Sequence, residues 1–356
     1  MKRRIFFVSA AAVFACAAFA AGAAAQNVPA GLVNANVHPR AVPSGLGQAV
    51  KGLVAAQQEP AWIAYSVQAV PGEHRSCDGE WHGSDGVVRL EPSRAREGAA
   101  RTRVSLEGPS DILVFFRAEQ GRVGRIRVVS PDCGIDAGGL AVHWLTQVNA
   151  AESVSLLSSF VGDLRRAQGE PSGRGALTAI ALHRDASALA ALRGFVAPGQ
   201  PAALRKQAAF WLGAARGREG FEALRGLLHD PDPAFRSELT FALSVSREPE
   251  VVDILIGAAR GDDSPKVRRQ ALFWLGQKAG AKALAALEGA IENDPDTEVK
   301  KRAVFALSQM PKDEGVPRLI EIARAHRNPE VRRQAMFWLG QSNDPRALAF
   351  FEEVLK

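Results

Sequence analysis

The residues best suited to chemistry in this sequence lie in the segment HRSCDGEWH, which contains His74, Cys77 and His82. Imidazole and thiolate groups bind zinc and act as bases or nucleophiles, and a second cysteine, Cys133, follows further along the chain. The spacing matches none of the common structural zinc patterns, and no G-x-S-x-G, H-E-x-x-H or phosphate-loop motif occurs. We therefore predict no catalytic, cofactor or metal site. Three alternatives remain for the cysteines: a Cys77–Cys133 disulfide, a His-Cys-His zinc site, or two free thiols.

The start of the chain favours the disulfide. Residues 1–25 have a basic head, an apolar middle and the small-residue end Ala23-Ala24-Ala25, a pattern typical of a secretory signal peptide cleaved before Gln26. A lipoprotein is the alternative, because Cys16 follows V-F-A, although Phe14 suits that motif poorly. We expect a periplasmic or extracellular protein without a transmembrane anchor, and an even number of cysteines in such a chain indicates a disulfide.

The charge argues against a nucleic-acid partner. The chain has 44 Lys+Arg and 38 Asp+Glu, a net charge of +6. The leader holds three basic residues and no acidic one, so the mature chain has 41 basic and 38 acidic residues, a net charge of about +3. Such a small excess is not the charge pattern of a nucleic-acid-binding domain.

Basic residues recur at a fixed step in the second half of the chain. The motif V-R-x-x-A-x-x-x-L-G is repeated five times with steps of 31, 32, 32 and 32 residues, and its copies begin at Leu204, Phe235, Val267, Val299 and Val331. A constant period of this length indicates a stack of helical repeats. An acidic residue in a Pro-rich turn lies about six positions before the first basic residue of a copy. We predict that these residues pair within a copy and form a ladder: Asp230 with Arg236, Asp262 with Arg268, and Asp294 with Lys300.

A second basic residue in most copies lies four positions before a phenylalanine, so the two share a helix face. The pairs are Lys206 with Phe210, Arg269 with Phe273, Lys301 with Phe305, and Arg333 with Phe337. We predict that they bind a protein partner, one with an acidic segment; the alternative is an ordinary solvated face. Tryptophan occurs in alternate copies, at 211, 274 and 338. It is predicted either to pack between repeats or to belong to a half-exposed aromatic row that contacts a ligand.

The repeated pattern resembles HEAT repeats, in particular the short kind of the phycobilin-lyase type. The resemblance covers residues 173–356 and implies an α-solenoid of about six helix pairs, with the basic helices on the concave side. Some HEAT-like enzymes bind iron through His-Glu pairs, but this chain contains no such dipeptide. Stacked helix pairs usually provide extended binding surfaces.

The region before the repeats has a different composition. We predict an extended tether with a short helix over 26–59 and a small antiparallel β domain over 60–140 on the basis of alternating β-branched and aromatic residues, with RTRVSLEG as one of its strands. A helix and linker are predicted over 141–172, and QGEPSGRG is predicted to be the hinge or linker before the first repeat. The stretch PAWIAYSVQAVPGEHR resembles exported bacterial HEAT-repeat proteins of uncharacterised function.

The sequence thus predicts an exported scaffold or adaptor for protein–protein interaction. The alternatives are a module that binds an anionic cell-envelope ligand, or an enzyme with a site around His74, Cys77 and His82. The sequence indicates neither the partner's identity nor the oligomeric state.

Overall fold

The computed structural model describes residues 28–72, 77, 87–91, 110–162, 171–278 and 280–356. The leader, His74, His82, the predicted strand RTRVSLEG and the start of the predicted linker QGEPSGRG lie outside these ranges. Among the described helices, none combines the length and the hydrophobicity needed to cross a bilayer.

The N-terminal region contains eight described strands and two helices. The strands are β1 Leu32–Val33, β2 Asn36–Ala41, β3 Ala61–Gln68, β4 Val87–Arg89, β5 Asp111–Glu119, β6 Arg122–Val129, β7 Gly134–Asp136 and β8 Ala141–Thr146; the helices are α1 Leu46–Ala56 and α2 Ala150–Val161. The larger sheet has the order β2-β8-β3-β5-β6, and a small sheet has the order β1-β7-β4.

The larger sheet is mixed rather than antiparallel throughout, which corrects the prediction. Strand β8 lies between β2 and β3 and runs parallel to both, whereas β3, β5 and β6 pair antiparallel. Strand β2 comes from the segment predicted as a tether, and β8 from the segment predicted as a helix and linker. Alternation along a strand predicts which faces are buried, but it does not reveal which distant strand will be the neighbour.

The two faces of this sheet contribute to different cores. Trp62, Phe115 and Trp144 face a small core that also contains Cys133, which forms a disulfide with Cys77. Ile63 and the other alternate residues of β3 face α1 and α2 and join a second, much larger core. The predicted disulfide is therefore present, and it fastens the small core on the side of the sheet away from the helices.

Within residues 171–278 and 280–356, twelve helices follow and form the α-solenoid. They are α3 Pro171–Leu182, α4 Ala186–Val196, α5 Ala202–Ala215, α6 Gly217–Arg225, α7 Pro233–Ser244, α8 Val251–Gly261, α9 Pro265–Lys278, α10 Ala281–Asn293, α11 Thr297–Ser308, α12 Lys312–Ala325, α13 Pro329–Gln341 and α14 Pro345–Val354. Several begin with a capping side chain. The carboxylates of Asp232 and Asp296 and the amide oxygen of Asn328 accept hydrogen bonds from backbone N–H groups in the first turns of α7, α11 and α13.

The solenoid and the N-terminal sheet share one continuous core. Helix α3 packs on β5 and β6, and a Cβ added to Gly175 would lie 2.0 Å from the carbonyl oxygen of Ile126. Only glycine permits this approach of helix to strand. Since residues 171–175 belong to α3, this part of the predicted linker is an integral element of the fold.

The Leu-Gly end of the motif has a similar steric role. A Cβ on Gly213 of α5 would lie 2.0 Å from the carbonyl oxygen of Ala242 on α7, and one on Gly276 of α9 would lie 2.8 Å from the Cβ of Ala306 on α11. Helices α5 and α9, which contain the sequence FWLG, thus place this glycine against the alanine of the sequence FALS in the following motif helix, α7 or α11. Where α7 packs on α9, the position of that alanine is occupied by Trp274, which stacks on Phe241 of α7. This alternation between tight and filled crossings explains the two-repeat period.

We expect Gly213→Ala to lower the free energy of unfolding by about 1–3 kcal/mol, because the added methyl group overpacks a backbone contact. The matched control is Gly257→Ala in α8, where an added Cβ meets no atom within 4 Å. This control should stabilise the protein by about 0.5–1 kcal/mol through helix propensity. Urea denaturation of both variants provides the measurement, and an equal effect of the two would contradict the close-approach role of Gly213.

Candidate functional site

The helices that carry the repeated motif form one continuous surface. Helices α5, α7, α9, α11 and α13 each pack directly on the next member of this row, whereas the helices of the alternate row make far fewer contacts with one another. In a curved stack the row with the closer neighbours lies on the inner side. The motif helices therefore line the concave side of the solenoid.

The ladder of charged residues is present, but its pairs differ from the prediction. Arg236 donates to the Asp262 carboxylate through Nε at 2.8 Å and Nη2 at 2.9 Å, and Arg268 donates to Asp294 in the same way at 2.8 and 3.0 Å. Each arginine thus pairs with the acid of the following repeat, 26 residues later. Arg205, which the sequence analysis did not include, also pairs with the acid of the following repeat, Asp230, but through Nη2 alone, because its Nε donates to the backbone carbonyl of Val196 at 2.9 Å.

The predicted partner within the same copy receives a different contact. Arg236 donates from Nη1 to the backbone carbonyl of Asp230 at 2.7 Å, and Arg268 donates to that of Asp262 at 2.9 Å. The carboxylate of each acid is directed toward the preceding repeat. Arg236 and Arg268 therefore each link the turn before their own helix to the turn before the next motif helix. Hydrogen bonding to these carboxylates raises the pKa of Arg236 and Arg268.

The last predicted ladder pair, Asp294 with Lys300, is absent. Asp294 is already bound to Arg268, and Lys300 donates from Nζ to the backbone carbonyls of Ile291 at 2.6 Å and Glu292 at 2.7 Å. Burial, followed by repulsion from Arg327, lowers the pKa of Lys300. One period after Asp294 the acid is replaced by a buried His326, whose ring also contacts Ile291 O at 3.1 Å. A lysine cannot make the bidentate arginine contact, and the carboxylate it would need is missing.

The phenylalanine and tryptophan side chains form an aromatic row along the concave side. Phe210 stacks on Phe241 with ring centroids 5.7 Å apart, and Phe241 stacks on Trp274 at 5.0 Å. A second run joins Phe273 to Phe305 at 6.1 Å and Phe305 to Trp338 at 4.9 Å. We name these residues, together with Trp211 and Phe337, the aromatic strip. All are partly exposed, so the strip combines the two predicted roles: its rings pack between repeats and remain accessible.

The basic residues predicted beside the phenylalanines are accessible but paired. Lys206 forms an ion pair with Glu238 on the next motif helix at 2.8 Å, and Arg269 lies 3.9 Å from Asp296. Lys301 and Arg333 each pair with a glutamate three residues earlier, at 2.8 and 2.6 Å. Exposed pairs of this type contribute about 0–1 kcal/mol, so a competing carboxylate can replace the internal one at little cost.

Arg302 is a further cation on the strip that the sequence analysis did not single out. Its guanidinium lies 5.5 Å from the ring centroid of Phe273 and 5.4 Å from that of Phe305, within the range of a cation–π interaction. The equivalent residue in the neighbouring copies is Gln270 or Gln334. Because the cation occurs in a single copy, the repeat pattern did not reveal it.

The described residues contain one cluster that could hold a metal ion, formed by Cys77, Asp132 and Cys133. Both of its sulfur atoms are in the disulfide, which removes them as thiolate ligands. A separate groove of about 670 Å³ lies between α1, α2 and the β5–β6 turn, lined in part by Val54, Leu156 and Phe160. Glu152 lies at this groove, but its carboxylate accepts hydrogen bonds from the backbone N–H groups of Gly45 and Leu46.

The comparisons with known proteins agree with the fold. The family model for HEAT repeats matches residues 195–276 and 252–325, and the model for the PBS lyase HEAT-like repeat matches residues 331–356. None of the curated proteins matches the sequence.

Several solved structures resemble the solenoid at low identity. The complex of CpcE and CpcF of phycocyanin lyase from Nostoc sp. is 24% identical, with 43% of this chain and 99% of that chain covered and a TM-score of 0.33. Human deoxyhypusine hydroxylase in complex with glycerol is 18% identical, with 57% and 90% covered and a TM-score of 0.25. A designed armadillo repeat protein is 16% identical, with 52% and 100% covered and a TM-score of 0.30.

Proposed function

We propose that this protein, whose C-terminal part is a solenoid of HEAT-like repeats, is an exported scaffold that binds a protein partner along the aromatic strip. The observation that carries the proposal is the strip itself, two runs of partly exposed rings in mutual contact that together cross all five motif helices. Aromatic residues are the most common anchors of protein interfaces. The leader-like start of the chain and the Cys77–Cys133 disulfide support export.

The proposed partner is a protein segment that has both apolar and acidic side chains. Apolar side chains would cover the ring faces of Phe273, Phe305 and Phe337, and carboxylates would replace the internal acids paired with the flanking cations. Lys206 and Arg333 are the most suitable for this exchange, because both are exposed and their pairs are exposed as well. Such binding should weaken as salt is added.

The test is co-purification from the native cell. It compares the unchanged chain with a full-length variant in which Lys206, Arg269, Lys301 and Arg333 are all changed to glutamate. We expect recovery of the partner to fall on the order of tenfold or more, which corresponds to about 1.4 kcal/mol or more of binding free energy. The matched control changes four exposed cations of the alternate helices to glutamate: Arg193, Arg225, Arg260 and Lys282. It has the same net charge and should retain the partner.

A second variant tests the rings without altering charge. Phe273→Leu with Phe305→Leu keeps apolar volume but removes the two flat faces, and it should also weaken binding. If the glutamate variant is folded by circular dichroism and still recovers every partner, the concave strip is not the binding surface. Equal losses in the variant and in the control would indicate a general effect of charge instead.

A further inference from the structure

Two helix crossings along the aromatic strip have the same stacked rings but different charges. Helices α5 and α7 cross at Phe210 and Phe241, whose rings are inclined by 19°, and helices α9 and α11 cross at Phe273 and Phe305, whose rings are inclined by 1°. The second crossing follows the first after one pair of repeats, so each motif position of the first has an equivalent in the second. We name them the first and the second phenylalanine crossing.

In the first phenylalanine crossing a cation and an acid neutralise each other. Lys206 of α5 lies 2.8 Å from Glu238 of α7, so the third residue of one motif copy reaches the fourth residue of the next copy. In the second crossing these positions are occupied by Arg269 of α9 and Arg302 of α11. Two arginines therefore stand where the first crossing has a pair of opposite charges.

The positive charge of the second phenylalanine crossing has little compensation from the chain itself. The acid closest to Arg269 is Asp296, at 3.9 Å, and Arg302 takes part in none of the ion pairs of the described residues. The guanidinium of Arg302 lies 5.5 Å from the ring centroid of Phe273 and 5.4 Å from that of Phe305. A guanidinium held by aromatic rings can still donate its N–H groups to a carboxylate. The crossing thus combines a cation without an acid and an apolar, partly exposed floor.

We propose that the second phenylalanine crossing binds an acidic side chain of the protein partner, with its carboxylate between Arg269 and Arg302, in the place that Glu238 has in the first crossing. Apolar side chains next to this acid cover the rings of Phe273 and Phe305. The inference rests on the proposed function, since it assigns one part of the aromatic strip to one kind of partner residue. Arg302 has no internal ion pair that must be broken first, so this crossing contributes the largest share of the charge recognition.

Peptide selection on the full-length chain, followed by affinity measurement, tests the proposal. A library of random displayed peptides should yield binders that have an acidic residue among apolar ones. Fluorescence anisotropy then compares each selected peptide with its analogue in which the acid is replaced by the corresponding amide. The unchanged chain should bind the amide on the order of tenfold more weakly, whereas Arg302→Gln should bind both peptides equally. Glutamine is the natural residue at the equivalent positions 270 and 334, so this variant should fold normally.

Moving the charges from one crossing to the other provides the matched control. Arg302→Glu alone should abolish the preference for the acidic peptide, because it supplies Arg269 with an internal acid. Adding Glu238→Arg restores the net charge and places two cations at the first crossing, so the preference should return there. In this double variant a further Lys206→Gln should abolish the preference, whereas Lys206→Gln in the unchanged chain should leave it intact.

The possible results separate this inference from the proposed function. The inference is wrong if selected peptides lack an acid, if Arg302→Gln keeps the preference while folded by circular dichroism, or if Lys206→Gln alone removes it; the strip would then still be a binding surface. If no peptide is selected, or if Phe273→Leu with Phe305→Leu binds the selected peptides as tightly as the unchanged chain, the inference and the proposed function are both contradicted.

Discussion

Arg268→Ala is expected to lower the free energy of unfolding by about 3–5 kcal/mol, the usual cost of leaving one partner of a buried ion pair without the other. Both Arg268 and Asp294 are buried, and two hydrogen bonds of 2.8 and 3.0 Å join them. The arginine also donates to the backbone carbonyls of Asp262 and Asp263. Its loss therefore removes both side-chain donors of the buried Asp294 carboxylate, which keeps only the backbone N–H of Asp296 at 2.9 Å, and removes the arginine donor of two carbonyl groups.

The matched control is Arg269→Ala, one position further along the same helix. Arg269 is partly exposed, and its nearest acid, Asp296, lies 3.9 Å away, so the expected cost is about 0–1 kcal/mol. Urea denaturation followed by circular dichroism measures both variants. Hydrogen exchange should locate the effect of Arg268→Ala at the junction of α9 and α11, because stacked repeats depend on contacts with their neighbours. If the free energy of unfolding falls by the same small amount in both variants, the ladder has no special role in holding the repeats together.

The ladder shows which part of the architecture could be read from the residues. The period, the helical character and most members of the charged pairs followed from the spacing of acidic and basic residues, although Arg205 was missed and Lys300 was wrongly included. The pairing itself did not. An aspartate lies six positions before Arg236 and before Arg268, and another lies 26 positions after each of them. Only the packing of one repeat on the next decides which carboxylate reaches the guanidinium.

In the N-terminal region, the sequence predicted individual strands but not how they pair. Alternating residues such as those of β3 predicted strands, but the parallel neighbours β2 and β8 come from segments separated by about a hundred residues. Such a pairing depends on the closure of a long chain segment, for which local sequence gives no signal. The continuity of its core with α3 was hidden for the same reason: Gly175 lies in a segment typical of a linker, although the helix approaches strand β6 closely at this glycine.

The aromatic strip was predicted in part. The four-residue spacing placed Lys206 with Phe210 and Arg269 with Phe273 on common faces, and the structure brings these residues to the concave side. The acids that neutralise Lys206 and Arg269 were not foreseen, because Glu238 and Asp296 belong to the following repeat. The pairs of Lys301 and Arg333 with a glutamate three residues earlier on the same helix were overlooked in the sequence. The strip is therefore less positive than the sequence suggests, and its rings carry more of the proposed recognition than its charges.

Acidification from pH 6.5 to pH 4 is expected to lower the free energy of unfolding by about 3 kcal/mol through His183 alone. This residue lies at the junction between solenoid and sheet, where it forms a bridge with Ala69, and it is 1% exposed. Burial lowers its pKa from 6.5 to about 4; Asp185 opposes the shift and Arg216 adds to it. Nδ1 accepts a hydrogen bond from the Asp185 backbone N–H at 3.3 Å, an arrangement that requires the neutral ring.

The sign follows from the protons bound in each state. Between pH 6.5 and pH 4 the unfolded chain binds a proton at His183 and the folded chain does not, so stability falls as the pH is lowered, by about 1.4 kcal/mol per unit. His183→Gln removes this titration, while its side-chain oxygen can still accept from the Asp185 N–H. Carboxyl groups other than Asp185, which interacts with His183, titrate equally in both proteins. The difference between their pH profiles, measured by urea denaturation, therefore reports His183 and its interaction with Asp185. Parallel profiles for the two proteins would show that His183 is solvated and charged in the folded state, and that the junction between sheet and solenoid opens in solution.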